Sequence, residues 1–274
     1  MNSVEGRVCV VTGGARGLGR AIAAALGAAG GRLALCDLRA AELDETAAAL
    51  RAQGIEVFAM PCDVSDSAAV DGFFAAVARE LDPVEVLVNN AALVPGGPDD
   101  EVRRNTHYTY LTTPEPRRSL GFTSAMSDAE WLKYWGVNVH GLFFCTRAAL
   151  RAMEPRGYGR IVNIASIAGL SAFSAHSPHY SATKGAVIAF TRSVAAEVAG
   201  ANILVNAIAP GGVATPMFED YLARLDPAER GRLFQMIPAG RLGQMDEYAS
   251  LALYLCGEHH YLAGQIISPN GGMV

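Results

Sequence analysis

The stretch "RVCVVTGGARGLGRAIAAALGAAG", Arg7 to Gly30, changes character twice. It opens as an unbroken apolar run, the pattern of a strand covered on both faces. It closes as an alanine-rich segment with helical period. Between the two lie Thr12, Gly13, Gly14, Ala15, Arg16, Gly17, Leu18 and Gly19. A glycine-rich turn from strand to helix lets the backbone come close to a pyrophosphate. The helix start then offers free N–H groups and the positive end of its dipole. The spacing is G-x-x-x-G-x-G rather than G-x-G-x-x-G, and in a chain with 29 glycines it also fits a plain tight turn. The buried strand before it and the helix after it favour the phosphate cradle.

The same alternation runs through the rest of the chain. "RLALCD", "EVFAMPCD", "VEVLVNNA", "GRIVNIAS", "NILVNAIAP" and "GQIISP" read as six more short buried strands. Helical segments such as "LRAAELDETAAALRAQG" lie between them, and "DSAAVDGFFAAVARELD" opens on Asp66, a good N-cap. Strands alternating with helices demand right-handed crossovers. The expected fold is therefore α/β: a doubly wound, Rossmann-type parallel sheet of seven strands with helices on both faces. No linker interrupts the pattern, so residues 1–274 read as one domain. Two segments break the rhythm. Residues 93–127 show no clear period and read as an extended loop insertion, and 211–243 read as one or two short helices in a long connection. Loops of that length in a compact domain are usually functional.

Bulk properties exclude several classes. The net charge of −5 argues against a nucleic-acid partner. No apolar run reaches the length of a membrane span, and the start shows no basic region followed by a long apolar one. The five cysteines, Cys9, Cys36, Cys62, Cys145 and Cys256, sit in apolar runs without C-x-x-C spacing. Neither a zinc site nor a redox dithiol is expected, and reduced buried thiols point to the cytoplasm. His107, His176 and His179 fit no ligand spacing, so no metal is expected.

Several residues carry chemistry. Asp37 ends the second strand, 18 residues beyond Gly19. A carboxylate there accepts the hydroxyls of an adenine ribose and repels a 2′-phosphate. Arg16 and Arg39 oppose it, since either could grip that phosphate. In "HYSATKG", Tyr180 and Lys184 are spaced i, i+4 and share a helix face. Asn138 stands inside the helical run "WLKYWGVNVHGLFFCTRAALRAM", where its amide competes for backbone bonds.

These pieces occur in a fixed order: Thr12–Gly19, Asp63–Val64 in "CDV", "NNA" at Asn89–Ala91, Ser166, Tyr180-x-x-x-Lys184, and "PGGVAT" at Pro210–Thr215. Over nearly the whole chain the set resembles a short-chain dehydrogenase/reductase. The resemblance implies a catalytic group of Asn138, Ser166, Tyr180 and Lys184. Tyr180 would serve as proton acceptor and Lys184 would favour the phenolate and hold the nicotinamide ribose. Ser166 would orient the substrate oxygen, and Asn138 would help hold a water that relays protons to the lysine. It also implies the cofactor contacts: Gly13, Arg16, Gly17, Leu18 and Gly19 at the pyrophosphate, Asp37 and Leu38 at the adenosine ribose, and Asp63 and Val64 at the adenine. Asn90 and Ala91 belong to the second ribose, and Pro210, Val213 and Thr215 to the carboxamide. Three departures stand out: "NNAA" replaces the family's "NNAG", the Ser166–Tyr180 loop is one residue longer, and 93–127 is about twenty residues longer than the usual connection.

The functional expectation is an NAD(H)-dependent enzyme acting on a secondary alcohol or its ketone. An apolar lid at 211–243, rich in Met217, Phe218, Tyr221, Leu225, Phe234, Met236 and Ile237, favours a hydrophobic, cyclic or aromatic substrate. Arg103, Arg104, Arg117 and Arg118 in the insertion could meet a carboxylate. The alternatives are an NADPH-dependent ketoreductase of acyl-carrier thioesters and a non-catalytic dinucleotide-binding regulator. The helical runs at 128–154 and 179–199 predict a homotetramer, with a dimer as fallback.

Overall fold

The computed structural model describes residues 4–274. Seven strands form one parallel sheet: β1 (Val8–Thr12), β2 (Arg32–Asp37), β3 (Val57–Pro61), β4 (Val86–Asn89), β5 (Gly159–Ile164), β6 (Ile203–Ile208) and β7 (Ile266–Ile267). Their order is β3-β2-β1-β4-β5-β6-β7. The chain therefore reverses its direction of travel between β1 and β4. That switch point opens a crevice at the carboxyl ends of Thr12 and Asn89.

Strand period sorts the core into two layers. Cys9, Val11, Leu33, Leu35, Val86, Val88 and Val162 point to one face. There they meet α1 (Gly17–Ala28), α2 (Ala40–Arg51) and α10 (Met245–Cys256). Val10, Ala34, Cys36, Leu87, Ile161 and Val205 point to the other. They meet α3 (Ser67–Glu80), α6 (Leu142–Met153) and α7 (Pro178–Val198). Asp66 caps α3 by accepting from Ala68 and Ala69, as its position predicts. All five cysteines are buried and free. No helix among the described residues is long and apolar enough to cross a membrane.

Two departures from the sequence reading lie at the carboxyl ends of the strands. The 93–127 segment is not a loop throughout: α4 (Pro98–Thr112) occupies its first half. Pro98 starts the helix, Asp99, Asp100 and Glu101 fill its first turn, and Asp100 accepts from the N–H groups of Gly96 and Gly97. These are standard helix-start features. Its mixed polar sequence lacks an apolar stripe, which is why periodicity passed it over. The run around Asn138 is also not one helix. α5 (Asp128–Trp135) gives way to a π-helical segment, Gly136–Gly141, before α6 begins. The 211–243 connection holds α8 (Pro216–Arg224) and α9 (Pro227–Gln235).

Candidate active site

The cradle is built around β1 and β4. Thr12 Oγ1 accepts from the main-chain N–H of Asn90 at 3.1 Å and of Ala91 at 3.0 Å. Asn90 Nδ2 donates to the carbonyls of Thr12 and Gly13, both at 3.0 Å. The sequence reading gave Asn90 to the cofactor; its amide nitrogen also staples the glycine turn to β4. Gly13 has φ +66°, and a Cβ there would fall 2.9 Å from Ala91 Cα. A Cβ on Gly19 would lie 2.1 Å from the Gly13 carbonyl oxygen. Both glycines are needed for close approach of chain to chain. Gly17, at φ +54°, faces open space instead. Arg16 occupies the N-cap of α1 without a side-chain cap bond. An anion can therefore approach the first turn along a side with neither a side chain nor a cap in the way.

Asp37 lies beyond the cradle. Its Oδ2 accepts from the Ala15 N–H at 3.2 Å and its Oδ1 from the Arg39 N–H at 3.1 Å. These bonds fix the carboxylate and leave further lone pairs for hydroxyl donors. Leu38 is exposed beside it. Asp63 Oδ1 accepts from the N–H and hydroxyl of Ser65 at 2.9 and 2.7 Å. Val64 is buried against Gly141, where a Cβ would sit 2.8 Å from Val64 Cγ2. Pro210 accepts from Ile167 N at 2.9 Å, Val213 bridges to Gly243, and Thr215 caps α8.

The candidate catalytic groups gather where β5 meets α7. Ser166 lies two residues past the end of β5, and its hydroxyl accepts from Ala168 N at 3.1 Å. It lies close enough to the Tyr180 phenol to favour the ionised form. One helical turn on, Lys184 is 3% exposed, and its Nζ donates to the Ile164 carbonyl at 2.7 Å. The ammonium lies 5.7 Å from the Tyr180 ring centroid. Burial lowers the Lys184 pKa to about 8. Burial raises the Tyr180 phenol, and the nearby Ser166 hydroxyl opposes that rise.

Asn138 is brought to the same place but is already engaged. Its Oδ1 accepts from Leu93 N at 2.7 Å. Its Nδ2 donates to the Leu93 carbonyl at 3.0 Å and to Thr183 Oγ1 at 3.1 Å. The amide thus ties the loop after β4 to α7. Sequence reasoning missed Thr12 and Leu93 as parts of the site; the quoted Thr12 was a signal for the first, and a backbone partner leaves no signal for the second.

The insertion reaches the start of α7. Arg103 donates to Asp100 Oδ1 at 2.5 Å and to Glu130 Oε1 at 2.7 Å. His179, fully buried beside Tyr180, packs edge-on against Tyr134 with centroids 4.1 Å apart. Its Nε2 lies 3.6 Å from Glu130 Oε1. Asp100, Glu130 and His179 are the one group among the described residues that could hold a metal ion. The Arg103 guanidinium already supplies the positive charge between the two carboxylates, which disfavours a cation there. Close by, His107 and His176 face each other with their Nδ1 atoms 3.4 Å apart. Burial, with Arg104 and His107 nearby, pushes His176 down to about 3, so this pair is neutral.

A phosphate cradle at the switch point, beside a hydroxyl, a phenol and an ammonium, is the layout of a dinucleotide-dependent oxidoreductase. The chain belongs to the short-chain dehydrogenase family, whose model matches residues 7–226. It is 31% identical to the 3-oxoacyl-[acyl-carrier-protein] reductase FabG of Aquifex aeolicus, over 98% of both chains. It is 37% identical to the galactitol 2-dehydrogenase (L-tagatose-forming) of Cereibacter sphaeroides, over 98% of this chain and 95% of the other. The crystal structure of a levodione reductase superposes with a TM-score of 0.82 at 31% identity, covering 98% of this chain and 97% of that one. The family binds a nicotinamide dinucleotide and acts on CH–OH groups.

Proposed function

We propose that this protein interconverts a hydrophobic, cyclic or aromatic secondary alcohol and its ketone, with NAD(H) as its cofactor. The observation that carries the reading is the gathering of Ser166, Tyr180 and a buried Lys184, whose ammonium lies 5.7 Å from the Tyr180 ring centroid. Gly13, Arg16, Gly17, Leu18 and Gly19 would hold the pyrophosphate, and Asp37 and Leu38 the adenosine ribose. Asp63 and Val64 would flank the adenine. Asn90 and Ala91 would meet the second ribose with Tyr180 and Lys184, and Pro210, Val213 and Thr215 the carboxamide. When bound, the cofactor accepts or returns the hydride.

The protein's own work is proton handling. In alcohol oxidation Tyr180 Oη takes the hydroxyl proton while Ser166 Oγ holds the substrate oxygen. The Lys184 ammonium below stabilises the phenolate that this role requires. In ketone reduction the same phenol returns the proton. Tyr180→Phe keeps the ring and removes the acceptor. It should lower turnover by about two to four orders of magnitude while the cofactor still binds. Near-normal turnover in that variant would remove Tyr180 from the mechanism.

The lid supports the substrate class. Tyr221, Leu222, Leu233 and Ile237 are consumed in the lid's own core, with Tyr108 of α4 packed against them. Met217 remains 42% exposed and sits by Gly96 in the loop after β4, with Val94, also 42% exposed, nearby in sequence. Such side chains gain from covering hydrocarbon, at about 25 cal/mol per Å². Of the insertion's four arginines, Arg103 is saturated by carboxylates, Arg117 stacks over Tyr110 and Arg118 pairs with Glu115. Arg104 is buried on Tyr221 and the Pro95 carbonyl with no carboxylate within ion-pair distance among the described residues. Arg117 likewise has no carboxylate partner among the described residues but is exposed, so Arg104, the buried one, is the candidate to meet a substrate carboxylate.

Arg16, Arg39 and the acyl-carrier reductases among the relatives favour a second reading, an NADPH-linked ketoreductase of 3-oxoacyl thioesters. A panel of cyclic alcohols, polyols and 3-oxoacyl thioesters, run with both cofactors, decides between them. Higher kcat/KM on polyols or thioesters than on every cyclic substrate overturns the first reading.

A further inference from the structure

We infer that Glu42 is a positioning residue for cofactor choice: it holds Arg16 and Arg39 away from the place of an adenosine 2′-phosphate. The inference rests on the reading that the ribose lies against Asp37. Three elements converge there. Arg16 comes from the glycine turn, Asp37 from the end of β2, and Arg39 and Glu42 from the start of α2. Glu42 Oε1 accepts from Arg39 Nη1 at 2.7 Å, and its Oε2 lies 3.8 Å from Arg16 Nε. One carboxylate thus engages both guanidiniums that could reach the phosphate.

The geometry of Asp37 strengthens the arrangement. The bond from the Arg39 N–H to Asp37 Oδ1 sets the turn from which the Arg39 side chain departs toward Glu42. Glu42 sits in the first turn of α2, where the helix dipole favours its charge. The two carboxylates and two guanidiniums sum to zero, so an arriving phosphate dianion finds no spare cation. A guanidinium freed from Glu42 would offer that phosphate its paired N–H donors. The pairs are half-exposed, with Arg16 54%, Arg39 50% and Glu42 39% exposed. Such pairs are weak. The preference they set is therefore graded, and one substitution can shift it.

Calorimetric titration with NAD⁺ and NADP⁺ tests this in the wild type, in Glu42→Gln, and in Glu42→Gln combined with Arg16→Ala and Arg39→Ala. Glu42→Gln should tighten NADP⁺ about three- to tenfold at low salt, with the gain shrinking at high salt. NAD⁺ affinity should change less than about twofold, because the substitution leaves Asp37 in place. The triple variant should lose the gain in the ratio of NADP⁺ to NAD⁺ affinity, a ratio from which any contact of Arg16 with the shared pyrophosphate cancels. Unchanged NADP⁺ affinity in Glu42→Gln overturns the inference. So does a gain that survives without the arginines, because Glu42 would then act by its own charge alone. Wild type that binds NADP⁺ more tightly than NAD⁺ defeats the reading of Asp37. The ratio between variants still scores Glu42 in that case.

Discussion

Gly19 has no room for a side chain, while Gly17 has nothing but room, and the two make a clean pair of variants. Gly19→Ala puts a methyl 2.1 Å from the Gly13 carbonyl oxygen and 2.4 Å from Asn90 Nδ2. The turn must move off β4, so cofactor affinity should fall by at least about tenfold and the melting temperature with it. Gly17→Ala meets no atom within 4 Å but keeps φ +54°. It should cost only about 1–2 kcal/mol, measurable by denaturant unfolding. Lys184 makes a pH prediction at the same scale. Its pKa is lowered to about 8 from 10.5. Between those values the unfolded chain binds more protons than the folded one, so this group makes the fold more stable as pH rises. Its charge, by contrast, is lost above about 8. The kcat/KM for the reduced cofactor should therefore fall above that pH, and Lys184→Arg should move the fall beyond pH 10 in whatever activity it retains. A flat profile from pH 8 to 10 in the wild type would contradict the assignment. At this scale the sequence was informative wherever spacing implies contact, as for Tyr180 and Lys184. It was silent on Glu42, because nothing in the order of residues says that one acid faces two arginines from different elements.

At the scale of elements, α4 hangs on Arg103. The side chains of Arg103 and Asp100 are 18% and 11% exposed, and that of Glu130 is 30% exposed. Arg103→Met would leave two carboxylates facing each other beside the buried His179. The cost should be about 2 kcal/mol, between the values for exposed and for fully buried pairs, because Glu130 is partly solvated. Thermal unfolding checks the value. Asp100 is held below the ordinary carboxyl range by Arg103 and by the N–H groups of Gly97 and Gly96, against the opposing effect of burial. Its contribution is therefore present above the unfolded pKa and is lost as pH falls through the folded one. The stability gap between wild type and Arg103→Met should narrow in acid. The strands were all legible, since seven short apolar runs map onto β1 to β7. Helix α4 was not: its start signals, "GPDDE", were present, but the helix buries chiefly charged and polar side chains, Asp100, Arg104 and His107. An apolar stripe cannot reveal a helix that is held by ion pairs. The π-helical segment at Gly136–Gly141 escaped for a related reason. Asn138 could be seen as a misfit inside a helix, but the shift in hydrogen bonding that accommodates it depends on partners in the loop after β4 and in α7.

Among the described residues aromatic rings stand uncovered at several places, Trp131 of α5 at 37% exposure among them, and two of those places bear on assembly. On α6, Phe143 is 41% exposed and meets Phe190 of α7 edge-on at 6.4 Å, with the Arg147 guanidinium 5.1 Å from its ring. Around the end of α10 and the approach to β7, Tyr254 is 42% exposed and Tyr261 fully exposed. A twofold axis makes an isologous contact from a single patch, so two independent patches suit two axes and a homotetramer. We propose that assembly, with α6 and α7 at one dyad and the β7 edge at the other. Phe143→Asp puts a charge into the first contact and should leave dimers held by the second. Tyr261→Asp should do the reverse, and the double variant should be monomeric. Light scattering at micromolar concentration reads all four species. Wild type that runs as a monomer overturns the tetramer. A tetramer that survives the double variant moves the interfaces to other surfaces, of which exposed Val102 and Leu111 on α4 are the next to alter.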